Sequence, residues 1–376
     1  MKNSAGIIVL IILVSLTTSA IAEDWNQRLY DSIFSDKNNH YNVVVDIDGI
    51  RRALSNGADP NALITRGKYS ESILSRHVRV CTSQIGPANI RAEVVKKCVE
   101  AFGILFQNKA RLQAGYDDTI LFWPVTGGHY DLVKLLLDKG ADPKLWPYTE
   151  IGPRYKLSPI EEAARHGHNR IVDLLASRGA KRPGAVEIAQ LRFVWLACFG
   201  NANNLKEQLA RGAKVNEADP NGEIALLRAV SILGDDPRRN SNVMFLLGEG
   251  ANVNLSGTSS ELADYITTFP LHSAVHYTSY GFNSTRKRDM SYNEQLLNEL
   301  IKKGANLSAI DGKGQTPLHK AAVWNNLYAL RLLLSLGANT SVRDKSGKTA
   351  LDYAKSPEAI SLLKQFGAQG SQESER

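Results

Sequence analysis

The sequence predicts an all-α fold, a solenoid of about nine helix-turn-helix units, on three observations. A Gly-Ala pair recurs at Gly57-Ala58, Gly140-Ala141, Gly179-Ala180, Gly212-Ala213, Gly250-Ala251, Gly304-Ala305, Gly337-Ala338 and Gly367-Ala368. A leucine-rich run at helical spacing precedes most of these pairs. The step from Gly179 to Gly212 and that from Gly304 to Gly337 are both 33 residues, the length of one copied supersecondary unit. Such an array grows by stacking, so the 376 residues need not divide into several globular domains.

Residues 1–22 read as a signal peptide. Lys2 supplies a positive charge, Ile7 to Leu16 form a short apolar run, and Ala20-Ile21-Ala22 gives a small-x-small cleavage site. The mature chain then begins at Glu23 and is periplasmic or secreted, and the short n-region suits a bacterial signal. The repeat domain spans residues 23–368, and a polar tail, 369–376, is expected to be disordered.

In the first unit, Trp25 to Phe34 would form one helix and Asp46 to Ser55 the other. The 83 residues from Gly57 to Gly140 hold two units. The missing closure is Asn108-Lys109-Ala110, with lysine where glycine is expected. Cys81 and Cys98 fall on the two helices of that worn unit; they either form a disulfide or remain two buried thiols, and Cys198 is unpaired. In the third unit Pro124 replaces an alanine inside the first helix and should kink it. In the fourth, Ser158-Pro159-Ile160-Glu161 reads as a capping box.

The clearest unit runs from Asp311 to Ser341. Asp311-Gly312 offers a turn, Thr316 a helix cap, and Pro317 a first helical residue whose missing N–H costs nothing. Leu318, Ala321 and Ala322 form the inner face of one helix. Asn325-Asn326 makes the reversal, and Leu330 and Leu333 anchor the second helix. These five apolar residues are expected to be buried. Gly337 ends the unit in a conformation open to glycine.

Thr316-Pro317-Leu318-His319-Lys320-Ala321-Ala322 resembles the ankyrin-repeat motif residue for residue, and Leu332 to Asn339 resembles that family's second-helix ending. The resemblance implies antiparallel helix pairs joined by turns or hairpins. It also implies that His319 and the matching His272 hydrogen-bond a neighbouring loop backbone. His166 and His168 lie on a helix reversal, where the family often has such residues.

Breaks in the repeat point to candidate binding sites, because loops carry function on a repeated scaffold. The connector from Asp142 to Leu157 carries Trp146, Tyr148 and Tyr155, and a second connector runs from Leu255 to Thr268. Between the helices of single units lie Thr82 to Arg91, Gly234 to Asn242 and Tyr277 to Asn293. The last two would sit side by side and join Arg238, Arg239, Arg286, Lys287 and Arg288 to Tyr277, Tyr280, Phe282 and Tyr292. Arginine and tyrosine are enriched in binding hot spots. The alternative for these loops is a solvated segment with incidental charge.

No G-x-S-x-G, H-E-x-x-H, P-loop or C-x-x-C motif is present. The chain is therefore expected not to be an enzyme and to need no cofactor or metal. Its net charge of +7 favours an acidic partner. Export argues against nucleic acid, and no segment after the signal is suited to stable membrane insertion. The expected function is an exported protein–protein interaction scaffold that binds through a concave face and insertion loops. An immunity or inhibitor protein against an envelope toxin or enzyme is one alternative; a secreted effector of a host protein is another.

Overall fold

In the computed structural model every Gly-Ala pair closes its helix with the same hydrogen bond. The alanine N–H reaches back to a carbonyl five residues earlier: Ala58 to Ala53 at 3.0 Å, Ala141 to Leu136 at 3.0 Å, Ala180 to Leu175 at 3.1 Å, and Ala338 to Leu333 at 3.0 Å. This bond requires a left-handed residue just before it, which glycine adopts without strain. Gly337 sits at φ 80° and Gly140 at φ 96°. The structure describes residues 25–35, 43–66, 69–82, 88–113, 120–145, 157–231, 237–258, 267–277 and 291–371. Residues 1–22, expected from the sequence to be a signal peptide, lie outside them.

The chain divides into two compact units, Met1–Pro183 and Gly184–Arg376. The first begins with α1 (residues 25–30), β1 (Ile33–Ser35), β2 (Val43–Val45) and α2 (Ile47–Ser55). The expected helix from Trp25 to Phe34 therefore stops early. Ile33 to Ser35 pair antiparallel with Val43 to Val45, using β-branched residues suited to a strand. Asp46 caps α2, its carboxylate accepting from the Gly49 N–H at 2.7 Å.

Next come β3 (Leu63–Arg66) and β4 (Tyr69–Ser72), an antiparallel hairpin, then α3 (Ile73–Thr82) and α4 (Ala88–Gln107). A disulfide joins Cys81 on α3 to Cys98 on α4. After α4, Lys109 takes the glycine position at φ 68°, and Ala110 N–H still bonds Leu105 O at 3.0 Å. The worn closure thus keeps its geometry without its glycine.

The unit ends with α5 (Phe122–Thr126), α6 (Tyr130–Asp138), α7 (Pro159–His166) and α8 (Asn169–Ser177). Pro124 does not kink a longer helix. Helix α5 starts at Phe122, which places proline in the first turn, where a missing N–H removes no helix bond. The Ser158 N–H donates to Glu161 Oε2 at 2.6 Å, forming the capping box at the start of α7.

The second unit holds α9 (Ala185–Phe199), α10 (Ala202–Ala210), α11 (Ala225–Ser231) and α12 (Pro237–Gly248). After the short hairpin of β5 (Gly257–Thr258) and β6 (Thr267–Thr268) come α13 (Pro270–Tyr277), α14 (Ser291–Lys302), α15 (Pro317–Val323), α16 (Leu327–Ser335), α17 (Ala350–Tyr353) and α18 (Pro357–Gln365). Its core runs through Phe193, Leu226, Leu246, Leu271, Leu297, Leu318, Leu330, Leu333 and Leu363. Leu318, Ala321, Ala322, Leu330 and Leu333 are all buried, as their spacing predicts. Full burial of one leucine contributes about 1.5–3 kcal/mol.

The fold is therefore mostly helical rather than all-α, because antiparallel hairpins occupy some connections. Residues 369–371, the described part of the tail, bond back to the last repeat. Thr349 Oγ1 donates to Gln369 O at 3.0 Å, and Ser371 N–H donates to Asp352 Oδ1 at 3.0 Å.

Candidate binding surfaces

The loops that join successive helix pairs in the second unit share one design. Asp219, Asp311 and Asp344 each open an Asp-x-x-Gly turn. Asp311 N–H donates to Gln315 O at 2.9 Å, while Asp311 Oδ1 accepts from the N–H groups of Lys313 and Gln315 at 2.8 and 2.9 Å. Asp344 repeats this with Ser346 at 2.8 Å and Lys348 at 3.1 Å. The glycine of each turn is left-handed: Gly222, Gly314 and Gly347 lie at φ 79°, 78° and 75°. A carboxylate that accepts its own loop's N–H groups holds the turn without help from a sheet.

Histidines lock these loops to the helices. His319 Nε2 lies 3.1 Å from Lys348 O, and Nδ1 lies 2.8 Å from the Thr316 hydroxyl and 3.2 Å from its N–H. Only one tautomer serves all three partners: Nε2–H donates and Nδ1 accepts. His272 Nε2 makes the matching bond to Gln315 O at 2.8 Å. Burial lowers the His272 imidazole from 6.5 to about 4, and does the same to His77, whose Nε2 meets Leu29 O at 3.1 Å. Asp344 is lowered too, but towards its charged form: burial opposes its charge, and hydrogen bonds from Tyr353, Gln315 and the loop backbone outweigh that and hold it at about 2.

Asparagines tie neighbouring loops together. Asn254 Nδ2 donates to Gly304 O at 2.9 Å, and its Oδ1 accepts from Asn306 N–H at 2.7 Å. Asn216 makes the same clasp to Gly250 and Asn252 at 3.1 and 2.7 Å. In the first unit Asn61 clasps Lys109 O at 3.1 Å and Arg111 N–H at 2.9 Å. The sequence reading missed these asparagines. Their signal is an Asn three residues after the closing alanine.

Among exposed side chains, Trp123 on α5 is 40% accessible and Phe199 on α9 is 52%. Trp195 packs on Phe199 with centroids 4.3 Å apart, and Arg228 lies over its ring at 5.3 Å while pairing with Glu223 at 2.7 Å. Lys320 pairs with Asp311 at 2.8 Å. His166 and His168 stack with centroids 5.8 Å apart, and His168 Nε2 meets Thr126 O at 3.0 Å. Cys198 Sγ donates to Arg228 O at 3.2 Å.

The binding residues expected from the sequence fall outside the described residues or at the ends of helices. Trp146, Tyr148, Tyr155, Tyr280, Phe282, Arg286, Lys287 and Arg288 lie outside the described residues. Arg238 and Arg239 belong to the first turn of α12, Tyr277 ends α13, and Tyr292 lies near the start of α14. The expected insertions are thus shorter than read: α12 already begins at Pro237, α4 at Ala88 and α14 at Ser291. Asn242, assigned to an insertion, is buried in α12 and donates to Ala197 O at 3.2 Å and Gly200 O at 3.1 Å.

Comparison with known proteins adds ankyrin repeats to this geometry. A family model for ankyrin repeats in three copies matches residues 289–373, and the single ankyrin-repeat model matches residues 116–145. A putative palmitoyltransferase ZDHHC13 from Danio rerio is 27% identical over 230 residues, covering 58% of this chain and 31% of the relative. Palmitoyltransferase ZDHHC13 from Homo sapiens and from Pongo abelii is 26% identical over 242 residues, covering 62% of this chain and 34% of each relative. The chain spans about a third of the length of these curated relatives.

These names correct the expectation of a non-enzyme. That reading rested on missing motifs and on repeats being scaffolds, whereas relatives 26–27% identical over 58–62% of the chain carry the name of an enzyme. Ankyrin repeats imply protein partners. Among the described residues, no helix is long and apolar enough to cross a membrane.

Proposed function

We propose that this chain is an exported protein-binding module of about nine ankyrin-type units, which holds an acidic protein partner on its loops and on the concave face of the stack. The observation that supports it most is the loop network. Asp311, His319, Asp344 and Asn254 fix the loop backbones before any partner arrives. Preformed loops reduce the ordering cost of binding. Export rests on the reading of residues 1–22, and the acidity of the partner on the net charge of +7.

The test is affinity capture from envelope extract by the mature chain, set beside a variant carrying Arg286→Ala, Lys287→Ala and Arg288→Ala. Recovery of one stoichiometric protein by the parent, reduced in the variant, supports the module. An equal yield of that protein from both sends the basic loop back to a solvated segment. If the captured protein is an enzyme or toxin that loses activity in the complex, the inhibitor form of the proposal gains; capture only from a host extract favours the effector form.

The relatives' names favour a second reading, palmitoyl transfer. Its test is incubation of the full chain with a labelled palmitoyl thioester. Label that enters Cys198, the cysteine outside the disulfide, and passes to an acceptor thiol supports it. Label that stays on the donor removes it.

A further inference from the structure

The residue just before each closing glycine, or before Lys109 in its place, is polar or charged through most of the chain: Asn56, Asn108, Lys139, Arg178, Arg211, Glu249 and Lys303. In the last two units it becomes Leu336 and Phe366, which stand 48% and 43% exposed. The two are at the same register. Each ends its helix, and α16 packs directly against α18. Leucine and phenylalanine at neighbouring copies of a solvent-facing position form a local apolar step where the repeat otherwise presents charge.

The rim of that step is basic. Lys302 and Lys303 close α14, and α14 reaches α16 through an Asn298 Nδ2 to Tyr328 hydroxyl bond of 2.8 Å. Arg331 lies on the exposed side of α16, one turn before Ser335 and Leu336. Lys303 and Arg331 form no ion pair among the described residues, and Lys302 is only loosely met by Glu299 at 3.5 Å. Charged rims of one sign select partners of the other, and a small apolar centre supplies the part of affinity that salt does not screen.

We propose that Leu336 and Phe366, with Lys302, Lys303 and Arg331, form a docking surface for an acidic, amphipathic protein segment. This surface rests on the reading of the chain as a protein-binding module, and it is separate from the basic insertion loop at Arg286 to Arg288.

The experiment uses the full mature chain and three fluorescent peptides: a glutamate-rich helix with two leucines one turn apart, its leucine-free form, and a lysine-rich form with the same leucines. The acidic, leucine-bearing peptide is expected to bind best and to weaken as salt rises. Leu336→Ser with Phe366→Ser, and separately Lys303→Glu with Arg331→Glu, are each expected to weaken it about tenfold or more. Lys206→Glu, on the exposed side of α10, should leave it unchanged. Both double variants change exposed side chains, and an unaltered melting temperature certifies their folding. Equal binding of the leucine-free or lysine-rich peptide overturns the proposal, as does unchanged affinity in either double variant. Binding to phosphatidylserine vesicles in place of the peptide also overturns it. If these variants keep a captured partner that the Arg286 to Arg288 variant loses, this surface falls while the binding module stands.

Discussion

His319 holds Lys348, one repeat further along the chain, through a 3.1 Å hydrogen bond from its ring to the lysine carbonyl. The same ring takes a hydrogen bond from Thr316 at the start of its own helix. One side chain therefore serves as helix cap and as inter-repeat link. Replacing it with leucine leaves the Lys348 carbonyl without its donor, which costs about 1–3 kcal/mol. His319→Leu is expected to lower the urea midpoint at pH 7 by a matching amount, with Leu318 and Ala321 still packed.

Two other buried imidazoles make stability depend on pH. Burial lowers His77 and His272 from 6.5 to about 4 in the folded chain. As pH falls below 6.5, the unfolded chain takes up these protons before the folded chain does. Their contribution is complete above pH 6.5 and is lost as pH drops towards 4. Melting temperature should fall between pH 7 and pH 5. His272→Gln, which keeps a donor but cannot titrate, should flatten part of that fall; an unchanged slope would count against the buried neutral ring.

Lys109 pays a conformational penalty at φ 68° that glycine avoids. Lys109→Gly is expected to raise stability by about 1 kcal/mol, and Gly337→Ala, at φ 80°, to lower it by a similar amount. Paired denaturation curves check both. A destabilised Lys109→Gly would mean that the lysine side chain contributes more than its backbone costs.

Gln208 is 1% exposed and neither atom of its amide has a hydrogen-bond partner. Its carbonyl closes α10, the role played elsewhere by Leu136, Leu175, Leu246, Leu300, Leu333 and Leu363. A buried amide without partners costs about 1–3 kcal/mol. Gln208→Leu should recover much of that, seen as a higher denaturation midpoint with an unchanged slope.

Cys81 and Cys98 are bonded, and Cys198 stands outside the disulfide. Thiol counting on unfolded, unreduced protein is expected to return a single thiol. Reduction should then lower the melting temperature, because α3 and α4 lose their covalent tie. A count of all three cysteines as thiols would reject the bond.

The repeat was legible because its closing geometry demands a particular backbone. Gly337 and its counterparts announce the left-handed turn directly, and even Lys109 could be placed from spacing. Leucine and alanine positions followed from helical periodicity. Other features escaped because they depend on partners far away in sequence. The Asn254 clasp joins residues that no local pattern connects. Pro124 was misread because the start of α5 is set by its surroundings rather than by its own motif. The binding residues were chosen from interruptions, where periodicity gives no information. Leu336 and Phe366 carry no local signal in the sequence, and only their exposure separates them from the core.

Helix α17, only four residues from Ala350 to Tyr353, is too short to persist alone. Tyr353 donates its hydroxyl to Asp344 at 2.6 Å, and Asp344 also accepts from Gln315 in the preceding loop at 3.1 Å. The last two copies consequently share a fastening, so they lack independent melting points. Pulled from its C-terminal end, the chain should surrender both in one mechanical event, giving a first extension step about twice the length of a single copy.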